Sequence, residues 1–126
     1  MPLDVTRYDE IEPFTTKDGS EIREWAGPTA APAVNQSLAE ASLPPGAATA
    51  EHFHRVSEEL YLVTSGVGRL RIDGEERDVR SGDCAVIPPR ARHKLWNIGD
   101  DVLRVACACS PAYSHEDTVL TEDDPA

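Results

Sequence analysis

Short apolar-polar alternations, punctuated by glycine, proline and aspartate, run through most of this chain. Side chains of a strand point to alternate faces, so a period of two marks a half-buried strand. From Glu59 to Thr64 the run places Glu59, Tyr61 and Val63 on one face and Leu60 and Leu62 on the other. Val67–Ile72 and Glu75–Arg80 flank Asp73-Gly74, a strong hairpin signal. Ser81-Gly82-Asp83 is a further turn, followed by a short strand, the turn at Pro88-Pro89, and another strand led by His93. Gly99-Asp100-Asp101 turns the chain into Val102–Cys109, an apolar run broken only by Arg104. Eight or more short strands joined by such turns predict an all-β barrel or sandwich.

Two segments leave room for choice. Val34 to Leu43 is rich in alanine and glutamate, which favours a helix. It is short, however, and ends at Pro44-Pro45-Gly46, so we read it as a strand. One face then carries Asn35, Ser37, Ala39, Ala41 and Leu43, the other Gln36, Leu38, Glu40 and Ser42, and either polar set is able to line a pocket. In residues 1–33, Ser20–Trp25 reads as a strand after a turn at Lys17-Asp18-Gly19. The tail, 111–126, is expected to hold one helical turn around Ser114–Thr118, with Ser114 and Asp117 resembling a capping box. Its acidic end beyond Thr121 is expected to be mobile.

At 126 residues the chain is read as one domain, able to bury roughly two thirds of its unfolded surface. The formal charge of −11 argues against nucleic acid or an anionic membrane as partner, since both need a basic face. No signal-like start and no apolar run of membrane-spanning length is present. Cys84, Cys107 and Cys109 lie in apolar strand-like runs, and their number is odd. They read as reduced core residues of a cytoplasmic protein.

The chemistry gathers in two stretches. A strand through His52-Phe53-His54 aims both imidazoles one way and Phe53 the other. Glu59, five residues after His54, would face the opposite way on an unbroken strand, so the chain must turn through 55–58. Glu58 is the other acidic choice, but its face would carry Leu60 and Leu62, and we prefer Glu59. His93 heads a later strand on which it shares a face with Leu95 and Asn97. Three of the four histidines thus fall in these stretches, and with the carboxylate they make most of a metal site.

The spacing of these residues resembles that of the cupin family. Gly46, five residues, His52-x-His54, four residues, Glu59, six residues and Gly66 match its first motif at 46–66. Gly82, five residues, Pro88, then His93 and Asn97 match its second at 82–97, with the short intermotif spacing of small cupins. Arg90 stands where the pattern has glycine, which implies a different turn geometry beside the site. The resemblance implies a single-domain jelly-roll barrel over 34–110, an N-terminal strand that pairs across a homodimer (a loose arm being the alternative), and one divalent metal held by His52, His54, Glu59 and His93. Such a donor set suits manganese or iron best, with nickel, cobalt, zinc and copper also possible. Asn97 reads as a turn-stabilising or supporting residue rather than a ligand.

Tyr61, on the face of Glu59, is the candidate donor to a substrate, against the reading of an ordinary core aromatic. Arg90 and Arg92 beside the Pro-Pro turn are candidates for carboxylate capture, against the reading of solvated loop arginines. The leading expectation is a metal-dependent enzyme of dioxygenase, decarboxylase or isomerase type acting on a small oxygen-rich molecule. The alternative is a non-catalytic module that binds a small ligand, its metal an anchor or structural pin. A metal-free pair of His54 with Tyr61, on the logic of sugar epimerases of this superfamily, is weaker because the ligand set is complete.

Overall fold

Alternation becomes strand almost everywhere the sequence shows it. The computed structural model describes residues 3–28 and 32–122, which form eleven strands and one 3₁₀ turn at Tyr8–Glu10. The strands are β1 (Phe14–Thr15), β2 (Glu21–Ala26), β3 (Ser37–Leu43), β4 (His52–His54), β5 (Glu58–Ser65), β6 (Val67–Ile72), β7 (Glu75–Arg80), β8 (Cys84–Ile87), β9 (His93–Asn97), β10 (Leu103–Ser110) and β11 (Thr118–Leu120). They make two antiparallel sheets, ordered β1-β2-β3-β10-β5-β8 and β11-β4-β9-β6-β7. Leu43, Val63, Ile87, Leu103 and Val105 of the first sheet meet Leu70, Val79 and Leu95 of the second in one buried core. This is an all-β jelly roll, and among the described residues no helix is long and apolar enough to cross a membrane.

Burial in β5 and β10 follows the period of two. Glu59, Tyr61 and Val63 point inward with Leu103, Val105, Cys107 and Cys109, while Leu60 and Leu62 face out. The hairpin of β6 and β7 pairs Ile72 with Glu75 around Asp73-Gly74, as its sequence predicts. Gly66, between β5 and β6, holds φ +91°, and a methyl there would lie 2.9 Å from Leu103 Cα and Val102 O. Only glycine satisfies both the dihedral and the close approach.

Four expectations need correction. The N-terminal strand β2 pairs with β3 of its own chain, and Tyr8 Oη donates to Glu40 Oε1 at 2.5 Å, so this region is not a loose arm. Cys84 is exposed at the head of β8, unlike the buried Cys107 and Cys109, because it falls on the outer face of the strand opposite Leu62. The 114–118 stretch is a single turn running straight into β11; Ser114 Oγ does accept from Asp117 N (3.1 Å), but the Asp117 side chain reaches across the molecule instead of back. Finally, Arg90 keeps the left-handed geometry that glycine would serve, at φ +70°. Pro88 O accepts from Ala91 N (3.2 Å), giving a type II turn with Pro89 at its second position and Arg90 at the strained third. The residues after Glu122, expected to be mobile, lie outside the described ones.

Candidate metal centre

His52 and His93 are cross-strand partners on β4 and β9, so their side chains leave the sheet side by side. His54 follows His52 on the same face, and Glu59 enters from β5 in the opposite sheet. The turn between them is strapped down. Asp117 Oδ1 and Oδ2 accept from the backbone N–H of Val56 (2.8 Å) and Ser57 (3.1 Å), and Asp117 O accepts from Arg55 N (2.8 Å). Arg90 N donates to His54 O at 2.7 Å, which ties the Pro-Pro turn to β4. One donor atom from each of His52, His54, Glu59 and His93 lies within 4.8 Å of the others, and all four residues are buried.

Hydrogen bonds fix which ring nitrogens face this point. His52 Nδ1 meets Ala50 O (2.7 Å) and His93 Nδ1 meets Ala91 O (2.9 Å). A carbonyl only accepts, so in both rings Nδ1 carries the hydrogen and neutral Nε2 offers a lone pair. His54 Nδ1 lies 3.0 Å from Thr118 Oγ1, whose own hydroxyl donates to Ser114 O (2.9 Å), so His54 Nδ1 is a donor as well. The three Nε2 atoms therefore converge with a carboxylate. His54 Nε2 is 3.1 Å and His93 Nε2 3.4 Å from Glu59 Oε1, yet His93 Nε2 is buried and aligned with no hydrogen-bond partner. Acceptors crowded together without donors call for a cation, and an oxygen-nitrogen set of this kind fits a divalent metal.

The electrostatics agree. Burial and the nearby His93 push His52 down to about 4. Burial works against the charged forms of His54 and Glu59 too, but when a proton rather than an ion occupies His54 Nε2, its bond to Glu59 and their attraction prevail, so His54 is raised and Glu59 falls far below the usual carboxylate range. Glu59 Oε2 accepts from the Cys109 thiol (3.2 Å), and burial beside that carboxylate raises Cys109 strongly, keeping it a thiol.

A narrow cavity opens beside the cluster, between the inner faces of β2, β3, β5 and β10 and the histidines of β4, and leaves about 50 Å³ for the centres of water-sized molecules. That is room for a few waters or one small polar group. Tyr61 lines it, and burial raises its phenol well above the usual value, so it stays protonated. On β3 it is the Ser37, Ala39 and Ala41 face that looks in. Arg90 and Arg92 are exposed, and neither belongs to the lining. Asn97 is wholly engaged in structure: its Nδ2 donates to Leu43 O (2.9 Å) and Asp101 O (2.8 Å), and its Oδ1 accepts from Gly99 N (2.9 Å).

The sequence reading missed Asp18 and Tyr113, both of which line the cavity. Asp18 Oδ2 lies 3.6 Å from His52 Nε2. Lys17-Asp18-Gly19 is a turn by its residues, and only the pairing of β1 with β2 and the bond from Ala50 N to Asp18 O (2.7 Å) carry it inside.

Residues 39–109 match the model of the cupin domain. The chain belongs to the cupin family. Over 122 residues it is 46% identical to the Methanocaldococcus jannaschii protein MJ1618, covering 97% of this chain and 98% of that one. It is 32% identical to the polyketide synthase protein CurC of Streptomyces cyaneus, over 90% of this chain and 77% of CurC. Among solved structures, this cupin superposes on a Streptomyces Pac13 variant with uridine at a TM-score of 0.79 and 20% identity, covering 97% of this chain and 93% of Pac13.

Proposed function

We propose that this cupin is a metal-dependent enzyme acting on a small oxygen-rich molecule such as a diketone, phenol or sugar derivative, in which His52, His54, Glu59 and His93 hold one divalent ion. Manganese or iron is favoured; nickel, cobalt, zinc and copper fit the donors as well. The observation that carries this reading is the convergence of three imidazole Nε2 lone pairs on a buried carboxylate, with His93 Nε2 otherwise orphaned. When bound, the ion supplies Lewis-acid polarisation of ligand oxygens. The chain's own residues do the rest. The carbonyls of Ala50 and Ala91 and the hydroxyl of Thr118 hold the three rings in the productive tautomer. The Cys109 thiol steadies Glu59, and the protonated Tyr61 phenol is placed to donate to a ligand oxygen. The narrowness of the cavity limits water.

Of the reaction types, dioxygenase is preferred to decarboxylase or isomerase. The likeness to CurC, a polyketide synthase protein, supports a small-molecule substrate. The tightness of the cavity supports a second reading, a non-catalytic module for a small ligand. Metal analysis of protein from its own host, followed by dioxygen uptake and product analysis with a panel of diketones, phenols and small sugars, tests both. Saturable binding without turnover favours the module, and absence of metal with intact activity overturns the proposal. Cytoplasmic residence belongs to the same reading, supported by free Cys107 and Cys109 in the interior.

A homodimer is also proposed. Leu38, Ala108, Leu60 and Val86 are register partners in one row across β3, β10, β5 and β8, and the three larger ones are 38–57% exposed on the outer face. An apolar row of that extent is a surface that a second copy would cover.

A further inference from the structure

Asp18 is a buried carboxylate with one oxygen spent and one free to act. Its Oδ1 accepts from Thr16 Oγ1 (2.7 Å), Ser20 Oγ (2.6 Å) and Ser20 N (2.9 Å). Ser20 is 2% exposed and Asp18 itself 9%. Three donors on one oxygen lock the orientation of the group. The other oxygen, Oδ2, lies in the cavity wall, 3.6 Å from His52 Nε2. That nitrogen offers a lone pair, because His52 Nδ1 carries the ring hydrogen to Ala50 O. Oδ2 therefore faces another acceptor, and what would satisfy it must come from the cavity.

The rest of the wall points the same way. Among the described residues, Asp18, Glu24 and Glu59 line the cavity and no lysine or arginine does. Lys17, beside Asp18 in sequence, turns outward and donates to His115 O (3.1 Å) and Thr118 O (2.8 Å). Beside the ion proposed for this site, an anionic ligand would also meet the carboxylates of Asp18 and Glu59 with no lysine or arginine in the wall, which offsets part of its attraction to the ion.

We infer that Asp18 is a specificity-determining residue that accepts a hydrogen bond from a hydroxyl of a neutral ligand (an enol, phenol or alcohol) and disfavours carboxylates. This rests on the proposed metal site, and it narrows the substrate class of that site. Sites built to receive a hydroxyl discriminate strongly against analogues lacking it, because the buried acceptor is then left unpaired. An amide at position 18 would keep one acceptor for Thr16 and Ser20 and turn a donor toward the cavity.

Hydroxyacetone, acetone and pyruvate are the probes, with dissociation constants measured by NMR titration of the zinc-loaded protein. In the wild-type protein hydroxyacetone is expected to bind at least tenfold more tightly than acetone and more tightly than pyruvate. In Asp18→Asn the hydroxyacetone-to-pyruvate preference should fall at least tenfold or invert, with zinc stoichiometry unchanged. Wild-type protein that binds pyruvate as tightly as hydroxyacetone overturns the inference even if the variant fails to fold. So does an unchanged preference in Asp18→Asn, and so does a loss of zinc from it, which would make Asp18 a metal ligand. Zinc stoichiometry of the wild-type protein reports separately on the metal site, so the two ideas fail independently.

Discussion

Ser57 and Asp117, sixty residues apart in sequence, are joined where the Ser57 backbone N–H donates to Asp117 Oδ2 at 3.1 Å. With the bond from Val56 N to Oδ1, this reverses the chain between His54 and Glu59, so residues on what would be opposite faces of one strand meet at one point. Both charge-assisted bonds are lost in Asp117→Ala. Each contributes about 1.5–3 kcal/mol in general, and solvent at this half-buried site brings the combined cost to about 2 kcal/mol. Metal affinity should fall with stability, as Glu59 is no longer held against His54; a denaturant melt and a metal-competition titration check the pair.

The same carboxylate predicts an acid limb. Burial raises Asp117, but the hydrogen bonds from Ser57 and Val56 outweigh it and leave the group lowered in the folded state. Its stabilisation is therefore complete above the unfolded carboxylate value near 4 and is lost as pH falls through the lower, folded value. Stability measured from pH 6 to 2 should drop less steeply in Asp117→Asn than in the wild-type protein. Equal slopes would show that other acids govern this range.

Protons and metal compete for the same imidazoles. In metal-free protein His54, raised by Glu59, should take up its proton before His52, which burial holds down at about 4. Nitrogen NMR of the imidazoles as pH is lowered from 8 to 4 reads the order directly. At a free-metal concentration 100-fold above its dissociation constant, linkage adds about 2.7 kcal/mol of stability. Melting with and without chelator should show that gain in the wild-type protein and lose it in His52→Ala.

Arg90 supplies backbone more than side chain to the site. Its φ of +70° costs an L-residue about 1–2 kcal/mol, partly offset by the greater chain entropy that glycine loses on folding. Arg90→Gly should raise stability by about 0.5–1 kcal/mol and leave ligand preference unchanged, because the guanidinium lies off the cavity. Calorimetry and the same ligand panel check both halves, and an altered preference would return Arg90 to a binding role.

The outer row of the first sheet gives a third kind of test. Leu62, 42% exposed, sits beside that row on β5 and pairs with Ala106. Leu62→Glu should leave the monomer's stability within about 0.5 kcal/mol, as surface changes usually do. It should convert the proposed dimer to monomer in analytical ultracentrifugation at micromolar concentration.

What the sequence made legible was local. The Asp73-Gly74 hairpin, the alternation of Glu59-Tyr61-Val63 and the spacing of the two glycine frames each state a strand or turn in a handful of neighbouring residues, and the structure places them so. Asp18 was hidden because its burial depends on Thr16, Ser20 and Ala50 being brought around it, which no neighbouring pattern announces. β11 was missed for a related reason. Thr118–Leu120 has only three residues, too few to show an alternation, and its strand character comes from pairing with His54, Phe53 and His52. Arg90 is the opposite case: its residue type argues against a left-handed turn, yet Pro88, Pro89 and the bond to His54 O together impose one.

Three of the four clustered donors descend from β4 and β9 in one sheet, and the fourth rises from β5 in the other. An ion held by all of them would rivet the two layers at one end of the sandwich. Sliding of one layer past the other would then be felt first as a change in coordination, and whatever enters the cavity would be read by the mechanical closure of the whole barrel.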